Sequence, residues 1–448
     1  MTRTHRDDQR PAPLATDEPL EGHYFVSTYP PFSTWTADRV ADAKRMLNRA
    51  PTASPDAAFG LYVHIPFCMK RCRYCYYLAY TGRSLEQIDG YLDTLVDELA
   101  IYRRSPALAE RDLSFVYFGG GTPSLLHERS LARMIDRLQS IMPWSKAKEV
   151  TFECAPKTVN ECKLRILKDS GVTRLSLGVQ IMDDEVLRSN GRVHFVSDVE
   201  QAYAEIRKVG FPVVNIDLIV GLIGETDSTF FGSLDRVLGM QPDSVTIYQL
   251  EIPHNTPLYA ALRCGGLDAT PASWEEKRHR LAGAFARLEE HGYHVRSAYA
   301  AVRDPVRHPF VYQDAQYHGA DLLGLGVSSF SYIDGVHFQN VTSNRAYVEK
   351  VRTGSCPIGR AYTLSDDERL VREFVLQLKL GRADAKYFSG KFGVDLRERF
   401  RRPLDQLARL GWLSADAQGI TVTRVGLLRV DRLLANFYHR CHKNKQHS

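Results

Sequence analysis

Cys68, Cys72 and Cys75 stand in the run Tyr62-Val63-His64-Ile65-Pro66-Phe67-Cys68-Met69-Lys70-Arg71-Cys72-Arg73-Tyr74-Cys75, a C-x3-C-x2-C triplet directly after an apolar segment. Three thiolates gathered on one short loop suit a [4Fe-4S] cube in which each cysteine takes one iron and the fourth iron keeps an open position. An open iron can bind and activate a small molecule. On spacing alone the rival is zinc held by the three cysteines and His64, although structural zinc sites usually pair their ligands as two separated couples and the chain has no second couple. Unrelated core cysteines fit less well, because the loop also carries Lys70, Arg71 and Arg73. Cys154, Cys162, Cys264, Cys356 and Cys441 are scattered, as in a reduced, intracellular chain.

These residues need a scaffold. From Leu61 the sequence alternates short β-branched or aromatic runs with helical patterns, which predicts repeated βα units and a parallel sheet. Strands are expected at Leu61–Ile65, Leu113–Phe118, Glu149–Glu153, Arg174–Gly178, Val213–Ile219 and Ser244–Leu250, with helices between them such as Leu85–Arg103 and Ser197–Val209. The fold class is therefore α/β, a partial (β/α)6 barrel. The cysteine loop follows the first strand, Gly119-Gly120-Gly121-Thr122-Pro123 follows the second, and Glu153 ends the third. Gln180 lies past the fourth strand, Asp217 near the end of the fifth, and Tyr248-Gln249-Leu250-Glu251 ends the sixth. Active sites of such barrels are built at the C-terminal strand ends. Singly, each carboxylate reads equally as a cap or ion-pair partner, and the glycines as a tight turn. Their shared placement is the signal.

Around this core the chain divides into a polar leader (1–20), an aromatic and proline-rich segment (21–58), the barrel (59–300), an extension and connection (301–363), a helical, winged-helix-like lid (364–438) and a tail (439–448) that reads as a frayed end. The cluster from Tyr24 to Trp35 suits packing against the body or over an active site. The net charge of +5 over 448 residues is small and dispersed, so no nucleic-acid partner is implied. The Arg397, Arg399, Arg401 and Arg402 group reads as a solvated face. With no apolar run near 18 residues and no secretory signal, a cytoplasmic protein without a membrane partner is expected.

Over about Tyr62 to Asn436 the chain resembles the radical S-adenosylmethionine (SAM) enzymes, and within them the oxygen-independent coproporphyrinogen III oxidase-like group. The resemblance rests on Tyr62 to Cys68, Tyr117-Phe118-Gly119-Gly120-Gly121-Thr122-Pro123-Ser124, Arg174 to Gln180, Gly191-Arg192-Val193-His194, Asn215 to Ile219, Gly324 to Ser331 and Phe338-Gln339-Asn340. It implies a [4Fe-4S] cluster on Cys68, Cys72 and Cys75, SAM chelated to the open iron, and reductive cleavage to a 5′-deoxyadenosyl radical. It further implies SAM contacts at Tyr62, Gly120, Gly121, Thr122, Glu153, Gln180, Arg192 and Asp217, and an aromatic near the adenine at Tyr74. Two SAM molecules are expected, with Ile333 a candidate to help hold the second. An electron donor such as flavodoxin or ferredoxin is the expected partner.

One departure stands out. In coproporphyrinogen oxidases proper the third cysteine is followed by Gly-Cys, whereas here Cys75 is followed by Tyr76-Tyr77. This resembles the class C radical SAM methyltransferases and the haem chaperone-like branch. The missing cysteine and the Tyr24–Trp35 segment favour transfer of a SAM-derived one-carbon unit, as methylation or cyclopropanation, to an unsaturated or heteroaromatic substrate, with room for a partner methyltransferase that completes the reaction. The alternatives are oxidative decarboxylation of coproporphyrinogen III and a haem chaperone.

Overall fold

The computed structural model describes residues 21–22, 24–50, 57–266 and 270–443. Six parallel strands form its centre: β1 (Phe59–Ile65), β2 (Phe115–Gly120), β3 (Glu149–Cys154), β4 (Arg174–Gln180), β5 (Val213–Val220) and β6 (Ser244–Gln249). They pair in chain order, so each helix crosses back over the sheet between neighbouring strands. Burial is nearly continuous along them, as expected where helices cover one face and the barrel interior the other. The crossover helices start at defined caps. Ser84 and Gln87 form a capping box for Leu85–Arg103, and Gly210 at φ 80° ends Val196–Val209. Each strand begins and ends within two residues of its expected bounds.

The sheet extends further than the six-unit reading. After β6 come β7 (His294–Val295) and β8 (Ala300–Val302), β8 pairing antiparallel with β6 and β7 antiparallel with β8; on the other side of β1 lie β9 (Asp321–Leu325), parallel to β1, and then β10 (Phe330–Ile333), β11 (Val336–Asn340) and β12 (Ile358–Thr363). Among the described residues the order is 12-11-10-9-1-2-3-4-5-6-8-7. Much of the stretch 301–363 is therefore sheet. Gly324 makes the return from β9 to β10 feasible, since a Cβ there would meet the Phe330 carbonyl oxygen at 2.2 Å.

A buried polar knot fixes β9 and β11 to the helix that follows the cysteine loop. Glu98 of Leu85–Arg103 is fully buried. Its Oε2 accepts from the Gly326 N–H (2.7 Å) and the Tyr347 hydroxyl (2.6 Å), and its Oε1 from Asn340 Nδ2 (2.6 Å). Tyr91 on the same helix donates to the His64 carbonyl at 2.8 Å and accepts from the Val327 N–H. The end of β1, from which the cysteine loop departs, is thereby tied to two other strands.

Residues 364–438 form the lid. It contains helices Asp366–Leu378, Ala385–Phe392, Leu396–Arg399, Arg401–Arg409, Arg424–Leu427 and Val430–Leu434, and a small antiparallel sheet of β13 (Arg382–Asp384), β14 (Leu413–Asp416) and β15 (Gly419–Val422). Phe374, Phe388, Phe400 and Phe437 make its aromatic core. The amphipathic stretch from Leu396 to Leu410 forms two helices that part at Phe400. Pro403, which has no N–H to donate, sits in a first turn, where that loss is harmless, so a new helix starts at Arg401.

The N-terminal segment straps the lid to the barrel. Val26 donates its N–H to Asp431 and accepts from Lys379, while Phe32 stacks on Phe330 and Trp35 on His337. The described part of the tail is packed, contrary to the frayed end expected of it. Arg440–His442 form a short turn, and His442 meets the Tyr29 hydroxyl at 2.8 Å. The leader 1–20 and residues 444–448 lie outside the described residues. No described helix is long and apolar enough to cross a membrane.

Burial raises the Glu98 carboxyl to about 7 despite its three donors. The folded chain therefore binds this proton more tightly than the unfolded chain, whose carboxyl titrates near its ordinary value of 4.5. Glu98 thus makes stability fall as pH rises between those values. Glu98→Ala is expected to cost about 3 kcal/mol by leaving buried donors unpaired, and to flatten this pH dependence in urea unfolding curves; a slope equal to wild type would contradict it.

Candidate active site

The cysteine loop is held by its own backbone and by the mouth of the barrel. Cys68 donates its N–H to the Tyr80 carbonyl and Tyr80 returns a bond to Pro66, closing the loop at its base. Arg73 N–H reaches the Asn190 carbonyl, and the Arg71 guanidinium bridges the carbonyls of Cys75 and Asn255. Cys68, Cys72 and Cys75 are free and half-buried. Thr122 Oγ1 lies 3.6 Å from Cys68 Sγ, and Arg192 Nη1 lies 3.2 Å from Cys72 Sγ. A Cβ on Gly121 would come within 2.8 Å of the Phe67 carbonyl oxygen and 3.0 Å of Cys68 Sγ, so only glycine lets the β2 turn approach the loop this closely.

The donor set fits an iron–sulfur cluster. Burial pushes the Cys75 thiol up to about 11 and raises Cys68 as well, and bound metal cations are what convert such thiols into thiolate ligands. Arg192 brings positive charge to the same place. Its Nη2 donates to the Gly178 carbonyl at 2.8 Å, and its Nε is buried with no hydrogen-bond partner, a donor left for an anionic group.

Two carboxylates face the barrel interior. Glu153 accepts from the Tyr117 hydroxyl (2.7 Å) and the Gly120 N–H (3.2 Å), and burial raises it to about 7. Asp217 accepts from Ser176 Oγ (2.7 Å) and Asn215 Nδ2 (2.8 Å), and burial raises it to about 6. Each sits where it could accept from an ammonium or hydroxyls. Gln180 follows a register shift in the β4–β5 pairing and takes a left-handed φ of 72°, unusual for a residue with a side chain. Below them the Arg174–Glu149 ion pair (2.9 Å), joined by Ser244, forms a polar floor.

Above this floor opens a cavity of about 1170 Å³. Its walls include Tyr74, Cys75, Gly121, Thr122, Glu153, Gln180, Arg192 and Asp217, so most of the predicted residues converge on one space. Cys68 and Cys72 join them through Thr122 and Arg192. Gly120 and Tyr62 stand behind the wall: Gly120 holds Glu153, and Tyr62 stacks on Tyr117 and bonds His64. Ile333, expected beside the second SAM, does not line this cavity. It closes the β10–β11 hairpin opposite Val336, 1% exposed in the hydrophobic core and outside the cavity, because that hairpin lies beyond β9 from the barrel mouth.

The far side of the cavity was largely missed. Tyr24 and Phe25 from the N-terminal strap, Tyr299 after β7, and Arg429, Asp431 and Arg432 from the lid all line it. The aromatic cluster was a visible signal without a stated destination; the lid residues carry no motif. Changing any one of Cys68, Cys72 or Cys75 to alanine is expected to remove the visible iron–thiolate absorption of anaerobically reconstituted protein and the roughly four irons per chain of a cubane. Full iron content in Cys72→Ala would refute the ligand assignment.

Comparison with known proteins agrees with this geometry. Residues 62–237 match the radical SAM superfamily and residues 364–429 the HemN C-terminal domain. The chain is 28% identical over 380 residues to the heme chaperone HemW of Bacillus subtilis, spanning 84% of this chain and 98% of that protein. It is 30% identical over 397 residues to the oxygen-independent coproporphyrinogen III oxidase of Salmonella typhimurium, spanning 86% of each. The solved structure of coproporphyrinogen III oxidase (HemN) from Escherichia coli superimposes with a TM-score of 0.80 at 28% identity, covering 92% of this chain and 96% of that one. These relatives do not support the one-carbon-transfer reading. It rested on Tyr76-Tyr77 and the Tyr24–Trp35 segment, which the structure uses as cavity wall and strap. With its cysteine triplet at the barrel mouth and its lid in place, the chain belongs to the radical SAM superfamily, in the group of the oxygen-independent coproporphyrinogen III oxidases and HemW, whose cofactors are a [4Fe-4S] cluster and SAM.

Proposed function

We propose that this chain oxidatively decarboxylates propionate side chains of a porphyrinogen of the coproporphyrinogen III class. The observation that carries this reading is the cavity. At about 1170 Å³ it exceeds the roughly 300–1,000 Å³ usual for small-molecule sites, and its walls suit a flat, apolar macrocycle with anionic arms. Tyr76 and Tyr77 stack at 4.5 Å, and a second stacked pair, Tyr248 and Tyr299, lines the same cavity. Arg278, Arg429, Arg432 and Lys443 bring positive charge to the strap and lid side, where propionate carboxylates would be received.

The residues near the cysteine loop divide the work. Cys68, Cys72 and Cys75 would ligate the cluster. Gly121 and Thr122 would offer backbone and hydroxyl groups to the amino-acid end of SAM, and Arg192 would pair with its carboxylate. Glu153, held by Gly120, would accept from its ammonium, Asp217 and Gln180 would bond its ribose, and Tyr74 would pack near its adenine, with Tyr62 supporting the wall behind them. When bound, the cluster and SAM supply a carbon-centred oxidant able to take a hydrogen atom from an unactivated C–H bond. Strap and lid keep water from that step, and a small electron carrier such as flavodoxin or ferredoxin would deliver reducing equivalents.

Tyr76-Tyr77 in place of Gly-Cys favours a second reading, a haem chaperone, as does the match along 98% of HemW. Anaerobic incubation of reconstituted protein with reductant, SAM and coproporphyrinogen III separates the two. Decarboxylation predicts loss of two carboxyl groups with 5′-deoxyadenosine formed in proportion; one haem bound per chain without porphyrinogen turnover would overturn it. Asp217→Asn is expected to keep the cluster absorption and to weaken SAM binding by about 2 kcal/mol, roughly 30-fold, through loss of a charged acceptor. Unchanged affinity in equilibrium binding would remove Asp217 from the site.

A further inference from the structure

His439, Cys441 and His442 carry none of the roles assigned above, yet one side-chain donor atom from each lies within 4.8 Å of the other two. They occur as His-Arg-Cys-His on the short turn Arg440–His442. Two adjacent carboxylates from the first turn of the lid helix Asp366–Leu378 face them. Asp367 Oδ2 lies 2.8 Å from His439 Nε2, and Glu368 Oε1 lies 3.6 Å from His442 Nε2. On its other edge His442 is fixed by the Tyr29 hydroxyl, 2.8 Å from Nδ1. Ligating imidazoles are commonly oriented this way, one ring nitrogen on the metal and the other on an oxygen.

His439 Nε2 has the Asp367 carboxylate as its near neighbour, at 2.8 Å, so a carboxylate already stands beside the three donor atoms. Two imidazoles, a thiol and a carboxylate form a borderline set that suits Zn²⁺ rather than Mg²⁺ or Ca²⁺. With bonds of about 2.0–2.3 Å, tetrahedral zinc places its ligand atoms roughly 3.3–3.8 Å apart, so small side-chain rotations close the cluster on an ion. One thiolate and one carboxylate would neutralise the dication, with Asp367 giving up part of its pairing with Arg399, whose Nη2 now lies 2.7 Å from Oδ2.

We propose that His439, Cys441, His442 and Asp367 bind a zinc ion that clasps the C-terminal segment to the lid helix, with Tyr29 of the N-terminal strap orienting His442. Because His442 and Lys443 also line the cavity, the clasp would fix part of its rim.

The test uses the full chain with Cys68→Ala, Cys72→Ala and Cys75→Ala combined, so that the cluster thiols cannot take the metal. This protein should bind one Zn²⁺, measured by competition with a chromophoric chelator, and Co²⁺ in its place should show a thiolate-to-metal charge-transfer band. Adding Cys441→Ser, at an exposed position that folding does not need, should weaken Zn²⁺ binding about tenfold or more and abolish the band. Adding His439→Ala should weaken binding to a similar extent while the band persists when Co²⁺ is in excess. Binding of less than a tenth of an equivalent would overturn the proposal, leaving histidine–carboxylate pairs alone, and so would an affinity unchanged by Cys441→Ser.

Discussion

Two backbone hydrogen bonds, Gly121 N–H to the Ile65 carbonyl and Thr122 N–H to the Phe67 carbonyl, both 2.8 Å, zip the turn after β2 onto the first residues of the cysteine loop. The rest of the site depends on this contact. A side chain at 121 would force the two loops apart, and with them Cys68 from Thr122, and Glu153 from the glycine N–H that it accepts from. Behind the contact, Tyr91 and the Glu98 knot hold the end of β1. A loop with no regular secondary structure of its own thus inherits the rigidity of the sheet, as a site that must hold a cofactor requires.

The barrel interior is polar where a packed core would ordinarily be apolar. Arg174, Glu149, Asn215, Ser176, Asp217, Tyr117 and Glu153 hydrogen-bond to one another in layers, which offsets the desolvation that burial imposes on them. Satisfaction is incomplete in one telling place, the Nε of Arg192 beside Cys72. Burial raises both interior carboxyls, Glu153 to about 7 and Asp217 to about 6, and a cationic ligand would draw them back towards the carboxylate form.

Much of this was legible in the sequence because the chemistry-bearing residues sit at strand ends. Alternating apolar runs located β1 to β6, and once those were placed, Glu153, Gln180 and Asp217 had to share a rim with the cysteines, whereas Arg192 was implied by the resemblance alone. The opposite wall was not legible. Asp431 and Arg429 reach the cavity through the path of the lid, and Tyr299 through the turn between β7 and β8, which local pattern does not encode. Nearness in sequence to Gly324–Ser331 likewise does not place Ile333 on the cavity wall. The tail misled because its polar composition suggested solvent, whereas Tyr29 and the lid helix give its histidines partners.

The most direct measurement of what this site does uses coproporphyrinogen III deuterated at the propionate carbon attached to the ring, incubated anaerobically with reconstituted protein, reductant and SAM. Porphyrinogen oxidation in the cavity predicts that the deuterium appears in 5′-deoxyadenosine as vinyl groups form. Deuterium that stays wholly in the porphyrinogen while SAM is consumed would contradict it.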